Sequence, residues 1–213
     1  MNVQPAETTF YSLSDATPGA PDERRHGDRL MTLYRVGSLM ISGQRELCLI
    51  KNISAGGMMV RAFCPITEGT PLSVELKCGE PISGVVSWAR DSHVGISFDA
   101  LIDVLDILAT SSEGPRPRLP RIEVSSFAMI REGASTSRAR VCDISQGGLK
   151  LQCAMALVPG SEVVVTLAGI EPQPGVVRWT NADQVGVTFN RLLALPALVD
   201  WLRAQREAGS AAG

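Results

Sequence analysis

The chain repeats itself. Residues 52–98, NISAGGMMVRAFCPITEGTPLSVELKCGEPISGVVSWARDSHVGISF, align without a gap on residues 143–189, DISQGGLKLQCAMALVPGSEVVVTLAGIEPQPGVVRWTNADQVGVTF, at a shift of 91 positions. Identities recur at Ile53/Ile144, Ser54/Ser145, Gly57/Gly148, Gly84/Gly175, Trp88/Trp179 and Gly95/Gly186. Such a chain must build the same unit twice. Two copies are too few for a stacked solenoid, which needs at least about three. The length of 213 residues suits two small domains of one fold in tandem.

Each unit reads as antiparallel β. LCLIKNIS runs into Gly56-Gly57 and then MMVRAF, and a two-glycine turn between apolar runs predicts a hairpin because glycine takes positive φ without steric cost. PLSVELKC alternates, GVVSWAR follows a Gly-rich turn, and a polar Asp-Ser-His turn leads into VGISFD. The second copy repeats this as LKLQCAM, EVVVTLAG, GVVRWTN and VGVTFN. Several short strands at about 10-residue spacing predict a small barrel. An apolar segment of helical period follows each last strand, ALIDVLDILAT (100–110) and LLALPALVDWLRAQREA (192–208). In the first, Leu101, Val104, Leu105 and Leu108 form a stripe expected to close the core, the alternative being a contact with a partner. The expected class is all-β with peripheral helices. Residues 1–22 are expected as a disordered tail, 23–110 as the first domain, 111–120 as the linker carrying a second arginine arm, and 121–208 as the second domain.

Composition narrows the function. With 45% apolar and 20% charged residues the chain can pack a core. A formal charge of −2 excludes coating a nucleic-acid polymer by net charge, and 5% aromatics provide poorly for stacking successive bases. The N-terminal segment lacks the basic start and apolar run of a secretory signal, and no run is long enough to span a membrane. Cys48, Cys64, Cys78, Cys142 and Cys153 are odd in number and scattered, with no CxxC, so they read as small buried hydrophobes in a reducing, cytoplasmic setting rather than disulfides or a metal site. His26 and His93 stand in neither triad-like nor ligand spacing, His93 reading as a solvated turn residue, and no phosphate-binding glycine motif occurs. No catalysis, metal or cofactor is expected.

What remains is an arginine-rich segment, Arg24-Arg25-His26-Gly27-Asp28-Arg29, and the first hairpin's Asn52-x-Ser54-x-x-Gly57. Guanidinium forks bind phosphate or a guanine edge bidentately and stack on flat rings. A short amide can pair with a guanine edge or a ribose hydroxyl, Ser54 can bond the turn, and Gly57 would let a ligand approach the backbone. The plainer alternative is a solvated basic arm beside an ordinary turn.

Together the two segments shift this choice, because they match a known pattern. Arg25-x-x-x-Arg29 followed by Asn52-x-Ser54-x-x-Gly57, with closing strands GVVSW and VGISF, resembles the PilZ domain family, over about residues 22–110 and 114–205. The resemblance implies two six-stranded barrels and binding of the bacterial second messenger cyclic di-GMP. Arg25 and Arg29 would grip guanines and phosphates, with Asn52, Ser54 and Gly57 as the barrel side of the site. Arg24, just before the motif, would accompany a stacked ligand dimer, or else be an ordinary exposed arginine. In the second copy Asp143-x-Ser145-x-x-Gly148 is intact, but the arm reads Arg116-Pro117-Arg118-Leu119-Pro120-Arg121. Matching Arg121 to Arg29 puts Pro117 where Arg25 stands, with Arg116 and Arg118 flanking it, and the prolines restrict the arm. The second site is therefore expected to be the weaker. The implied function is a receptor that changes its domain arrangement and its contacts with a protein partner, in motility, polysaccharide or biofilm control. The alternative is a ligand-independent interaction module.

Overall fold

The computed structural model describes residues 31–76, 81–108 and 119–211. Strands β1 (Met31–Ile41), β2 (Gln44–Ser54), β3 (Gly57–Ala62), β4 (Pro71–Glu75), β5 (Ile82–Arg90) and β6 (His93–Phe98) close one barrel in the order β1-β2-β3-β6-β5-β4, β4 returning to pair with β1. A short helix, α1 (Val104–Leu108), follows. Strands β7 (Ile122–Glu132), β8 (Ser135–Ser145), β9 (Gly148–Gln152), β10 (Glu162–Leu167), β11 (Gln173–Asn181) and β12 (Gln184–Phe189) close a second barrel of the same order, and α2 (Leu195–Ala211) follows. All pairings are antiparallel, and each barrel closes through the later part of its first strand, Ser38–Met40 of β1 on β4 and Ala128–Arg131 of β7 on β10. The tandem barrels expected from the repeat are what the chain forms.

Alternation puts one side chain in two into each barrel. Ile50, Ile53, Val60 and Val74 fill the first, and Ile130, Ile144, Leu149, Leu151 and Val165 the second, all fully buried. Three bulges interrupt the alternation at equivalent places: between β1 and β2 near Thr32/Arg35, between β2 and β3 at Ile50/Asn52, and between β5 and β6 at Val86/Trp88. The second barrel repeats all three, at Glu123/Ser126, Val141/Asp143 and Val177/Trp179.

Two expectations need correction. The hairpin turn is Ala55-Gly56, and Gly57 already belongs to β3; neither glycine has the positive φ that motivated the reading. Gly57 is required by close approach instead: a Cβ there would lie 2.4 Å from the Ile96 carbonyl oxygen of β6. At Gly148 it would lie 2.2 Å from the Val187 carbonyl oxygen. Gly57→Ala is expected to force β3 and β6 apart and cost about 1–3 kcal/mol, read from the urea midpoint. A change of a few tenths would show that the strands yield freely. The second correction concerns the apolar stripe after β6. Leu101 and Leu105 are exposed, at 80% and 71%, and Ile102, Val104 and Ile107 pack on the core. Among the described residues of this segment the helix covers Val104–Leu108.

α2 joins the barrels. Leu198, Val199, Trp201 and Leu202 are buried in the second core, and Trp201 Nε1 donates to the Ala168 carbonyl at 3.0 Å. From the first barrel, Leu47 belongs to this same cluster, and Val36 and Phe63 pack against it. Arg206 pairs with Glu46 and donates to the Arg45 carbonyl at 3.1 Å, while Arg203 donates to the Phe63 carbonyl at 3.0 Å.

Of the described cysteines, Cys48 and Cys153 are buried and Cys64 and Cys142 half-buried. Burial pushes the Cys48 thiol from its ordinary 9.0 up to about 12, with a backbone hydrogen bond involving Gly37 opposing in part. The folded state therefore holds this proton longer than the unfolded chain. The contribution is intact below about pH 9 and is lost as pH rises toward 12. Urea midpoints should fall more steeply across that window in the parent than in Cys48→Ala. Parallel curves would contradict the assignment.

Candidate functional site

The residues of the hairpin motif stand together on the outer wall of each barrel, and a bulge puts them there. Ile50 points inward; the extra residue Lys51 breaks the alternation, so that Asn52 and Ser54 face outward while Ile53 is buried. Cys142 does the same for Asp143 and Ser145, although Ser145 is itself covered. Ser54 Oγ donates to the Gly57 carbonyl at 3.2 Å, and Ser145 Oγ to the Gly148 carbonyl at 3.1 Å. The serine thus ties the hairpin closed across its two-residue turn.

A continuous row of paired residues crosses four further strands. In the first barrel it runs Thr32–Asn52–Met59–Gly95–Trp88, in the second Glu123–Asp143–Lys150–Gly186–Trp179. Each tryptophan lies over its glycine: a Cβ on Gly95 would be 2.0 Å from Trp88 Nε1, and one on Gly186 would be 2.2 Å from Trp179 Nε1. The repeated Trp and Gly of the closing strands are therefore a packed pair that flanks the motif.

The electrostatics of the two rows differ. Asp143 holds an ion pair with Arg121 and a second cation, Lys150 Nζ, at 3.5 Å from Oδ2. In the first barrel the amide of Asn52 faces Met59, so neither the carboxylate nor the neighbouring lysine is present. Beside Asn52, Lys51 Nζ sits 4.4 Å from the centroid of the Tyr34 ring, which is 74% exposed. The repeat puts Ser125 and Cys142 at those positions in the second barrel. Tyr34 and Lys51 escaped the sequence reading because they lie on two strands and meet only across the β1–β2 bulge. An aromatic in the first strand was the only available signal.

Arg24, Arg25, Arg29, Arg116 and Arg118 lie outside the described residues. Arg121 is described, as is the segment just before it. Leu119 Cδ1 lies 3.2 Å from where a Cβ on Gly147 would be, beside Leu192, and Arg121 reaches Asp143. This arm segment therefore passes along the β8–β9 hairpin. The register also changes one match. Met31 pairs with Ile53 and Ile122 with Ile144, so the shift of 91 holds up to the first residue of each barrel. Carried back along the sequence, the same shift aligns Arg121 with Leu30, Pro120 with Arg29, and Arg116 with Arg25. The second arm still lacks one of the two motif arginines, but it is the later one.

On the side of the second motif a cavity of about 610 Å³ opens between barrels, bounded by Arg121, Glu123 and Asp143, by Arg45 of the first barrel, and by Gln205 and Arg206 of α2. Among the described residues no group of three His, Cys, Asp or Glu could hold a metal ion. No helix among them is long and apolar enough to cross a membrane. His93 is the half-buried first residue of β6, its Nδ1 3.1 Å from the Asp91 carbonyl oxygen.

The model of the PilZ domain matches the chain twice, over residues 23–108 and 115–201. No curated protein matches. Solved structures similar to this chain include PlzA of Borreliella burgdorferi in complex with c-di-GMP, at 12% identity and TM-score 0.35, covering 83% of this chain and 94% of that one. The Bacillus subtilis inhibitor of motility, MotI/DgrA, has 13% identity and TM-score 0.33, covering 83% of this chain and 99% of that one. Escherichia coli YcgR in complex with c-di-GMP has 14% identity and TM-score 0.32, covering 84% and 87%.

Proposed function

The chain belongs to the PilZ domain family, and from that premise we propose that it is a non-catalytic cyclic di-GMP receptor whose principal site is on the first barrel. Arg25 and Arg29 supply the guanidinium forks for guanines and phosphates, with Arg24 as a third cation. Asn52, Ser54 and Gly57 form the wall, and Tyr34 offers a flat face beside it. One observation carries this reading. In the second barrel the arm runs along the motif hairpin, Leu119 against the Gly147 turn and Arg121 on Asp143. An arm following the same path before the first barrel would bring Arg25 and Arg29 toward the Asn52 hairpin, with Leu30 at the place of Arg121.

The second barrel is the weaker site in this reading. Arg116, Arg118, Arg121, Asp143, Ser145 and Gly148 are its residues, of which Arg116 aligns with Arg25; Arg121, at the place of Leu30, is already paired with Asp143, so a ligand must displace a carboxylate to engage it. That pairing favours a ligand-independent interaction role for this barrel. The two sites communicate through α2, since Arg206 and Leu47 hold the first barrel to the second. Ligand clamped on the first arm would bias this joint and so change what a protein partner in the cytoplasm meets.

Calorimetric titration of the full chain with cyclic di-GMP tests the reading. The full chain is needed because Leu47 is part of the second barrel's core cluster and separate halves would expose it. The tighter phase should weaken in Asn52→Ala, and by about 1 kcal/mol in Ser54→Ala, the usual contribution of a neutral hydrogen bond. Asp143→Ala and Ser145→Ala should leave it in place. Absence of binding overturns the receptor reading, and loss of the tighter phase in the Asp143 variant reverses the assignment of sites.

A further inference from the structure

The two barrels use the same outer face differently. In the first barrel the β1–β2 face carries the cross-strand pairs Val36–Leu49, Ser38–Leu47 and Met40–Arg45. That face is covered: Leu47 is 3% exposed and lies in the cluster with Val199 and Leu202 of α2, and Val36 packs against the same cluster. The equivalent pairs on β7–β8 are Phe127–Arg140, Met129–Arg138 and Arg131–Thr136. Here nothing among the described residues covers the face, and Phe127 and Met129 are exposed at 52% and 43%.

The chemistry has changed along with the exposure. Leu47 and Leu49 are replaced by Arg138 and Arg140, and Met40 by Arg131. The acid that the first barrel keeps at this face, Glu75 beside Ser38, is replaced by Thr166 beside Met129. No acidic side chain occupies these paired positions. The Arg138 guanidinium carbon lies 3.8 Å from the Phe127 ring centroid, so cation and ring form one contiguous unit. Arg, Phe and Met are the residues enriched in the buried centres of protein interfaces.

We propose that the outward face of β7–β8 docks an amphipathic helix of a partner protein, one whose apolar stripe is flanked by acidic side chains. The helix is argued from the first barrel, where the same sheet face packs an apolar helix surface. The acidic flanks are argued from three arginines with no carboxylate among them. Phe127 and Met129 make the contact apolar at its centre, unlike a face built for nucleic-acid phosphates, where cations alone suffice. Helix docking on an apolar strip with charged flanks is a common recognition mode, and aromatic and arginine anchors carry most of its energy.

The probe is a labelled synthetic helical peptide with leucine at the i, i+3, i+4 and i+7 positions and glutamate on both flanks. Its fluorescence anisotropy is followed against the full chain without nucleotide, so that the result is independent of the cyclic di-GMP reading. The peptide is expected to bind, and Phe127→Ala and Arg138→Glu should each weaken binding at least about tenfold. Arg90→Ala, on the first barrel, should not. Both positions are solvent-exposed, so thermal midpoints should match the parent and separate lost docking from lost folding. Four further probes use the same read-out: a scrambled peptide, a lysine-flanked peptide, a DNA duplex and phosphatidylglycerol vesicles. The proposal is overturned if the glutamate peptide does not bind, if its binding survives both substitutions, or if the scrambled or lysine peptide binds equally well. Binding at this face by duplex or vesicles alone overturns it in favour of those partners.

Discussion

Replacing Arg29 by alanine is expected to weaken cyclic di-GMP binding by at least about thirtyfold, equivalent to ~2 kcal/mol, in a calorimetric titration of the full chain. Arg25→Ala should do the same. The ligand carries two phosphodiester charges and two guanines, so the arm must offer charge and planar donors together. Lysine offers only the charge, and Arg29→Lys should recover only part of the loss. Tyr34→Ala should cost about 1 kcal/mol, at the lower end of base–aromatic stacking, because the exposed ring shares its face with Lys51. Raising the salt concentration should weaken binding, less steeply than for duplex DNA because fewer phosphates are neutralised. Parent-like affinity in Arg25→Ala and Arg29→Ala alike would remove the arm from the site and leave the interaction-module reading.

Trp201→Ala should destabilise the protein by about 3–5 kcal/mol in urea or thermal unfolding, the largest stability effect expected of any single side chain on α2. The indole is 4% exposed and bonds the Ala168 carbonyl, so truncation leaves both a cavity and an unpaired acceptor. Trp201→Phe restores most of the packing and should cost about 1 kcal/mol for the hydrogen bond alone. Because α2 also contacts Leu47 and Glu46, loosening it should free the first barrel from the second. Trypsin should then cleave the alanine variant at interbarrel arginines faster than the parent. A loss below about 1 kcal/mol would mean that the helix rests on its neighbours without Trp201.

Much of the site was readable in the chain because its parts are local. Asn52, Ser54 and Gly57 lie within one hairpin, and Asp143, Ser145 and Gly148 within its copy. Serine closing such a turn is a short-range preference. The reason for the glycine was not readable. Its constraint comes from the Ile96 carbonyl, 39 positions further along the chain by number, on a strand that pairs with β3 only once the barrel has closed. Tyr34 and Lys51 were missed for the same reason, as were Leu101 and Leu105, whose exposure depends on how the segment after β6 leaves the barrel.

The sequence by itself determined that there are two copies of one barrel, because a 91-residue shift keeps every strand and turn residue in step and each unit buries its own alternating side chains. It also determined where the motif lies in each copy. Only the tertiary structure decided which way that motif faces. A single bulge at Lys51 turns Asn52 and Ser54 outward, and a slip of one residue would have reversed every side chain beyond it. The fate of the two equivalent outer faces was decided there too. Leu47 is buried under α2 while Arg138, at the same position of the repeat, is exposed, because packing between barrels joins residues that no local pattern relates.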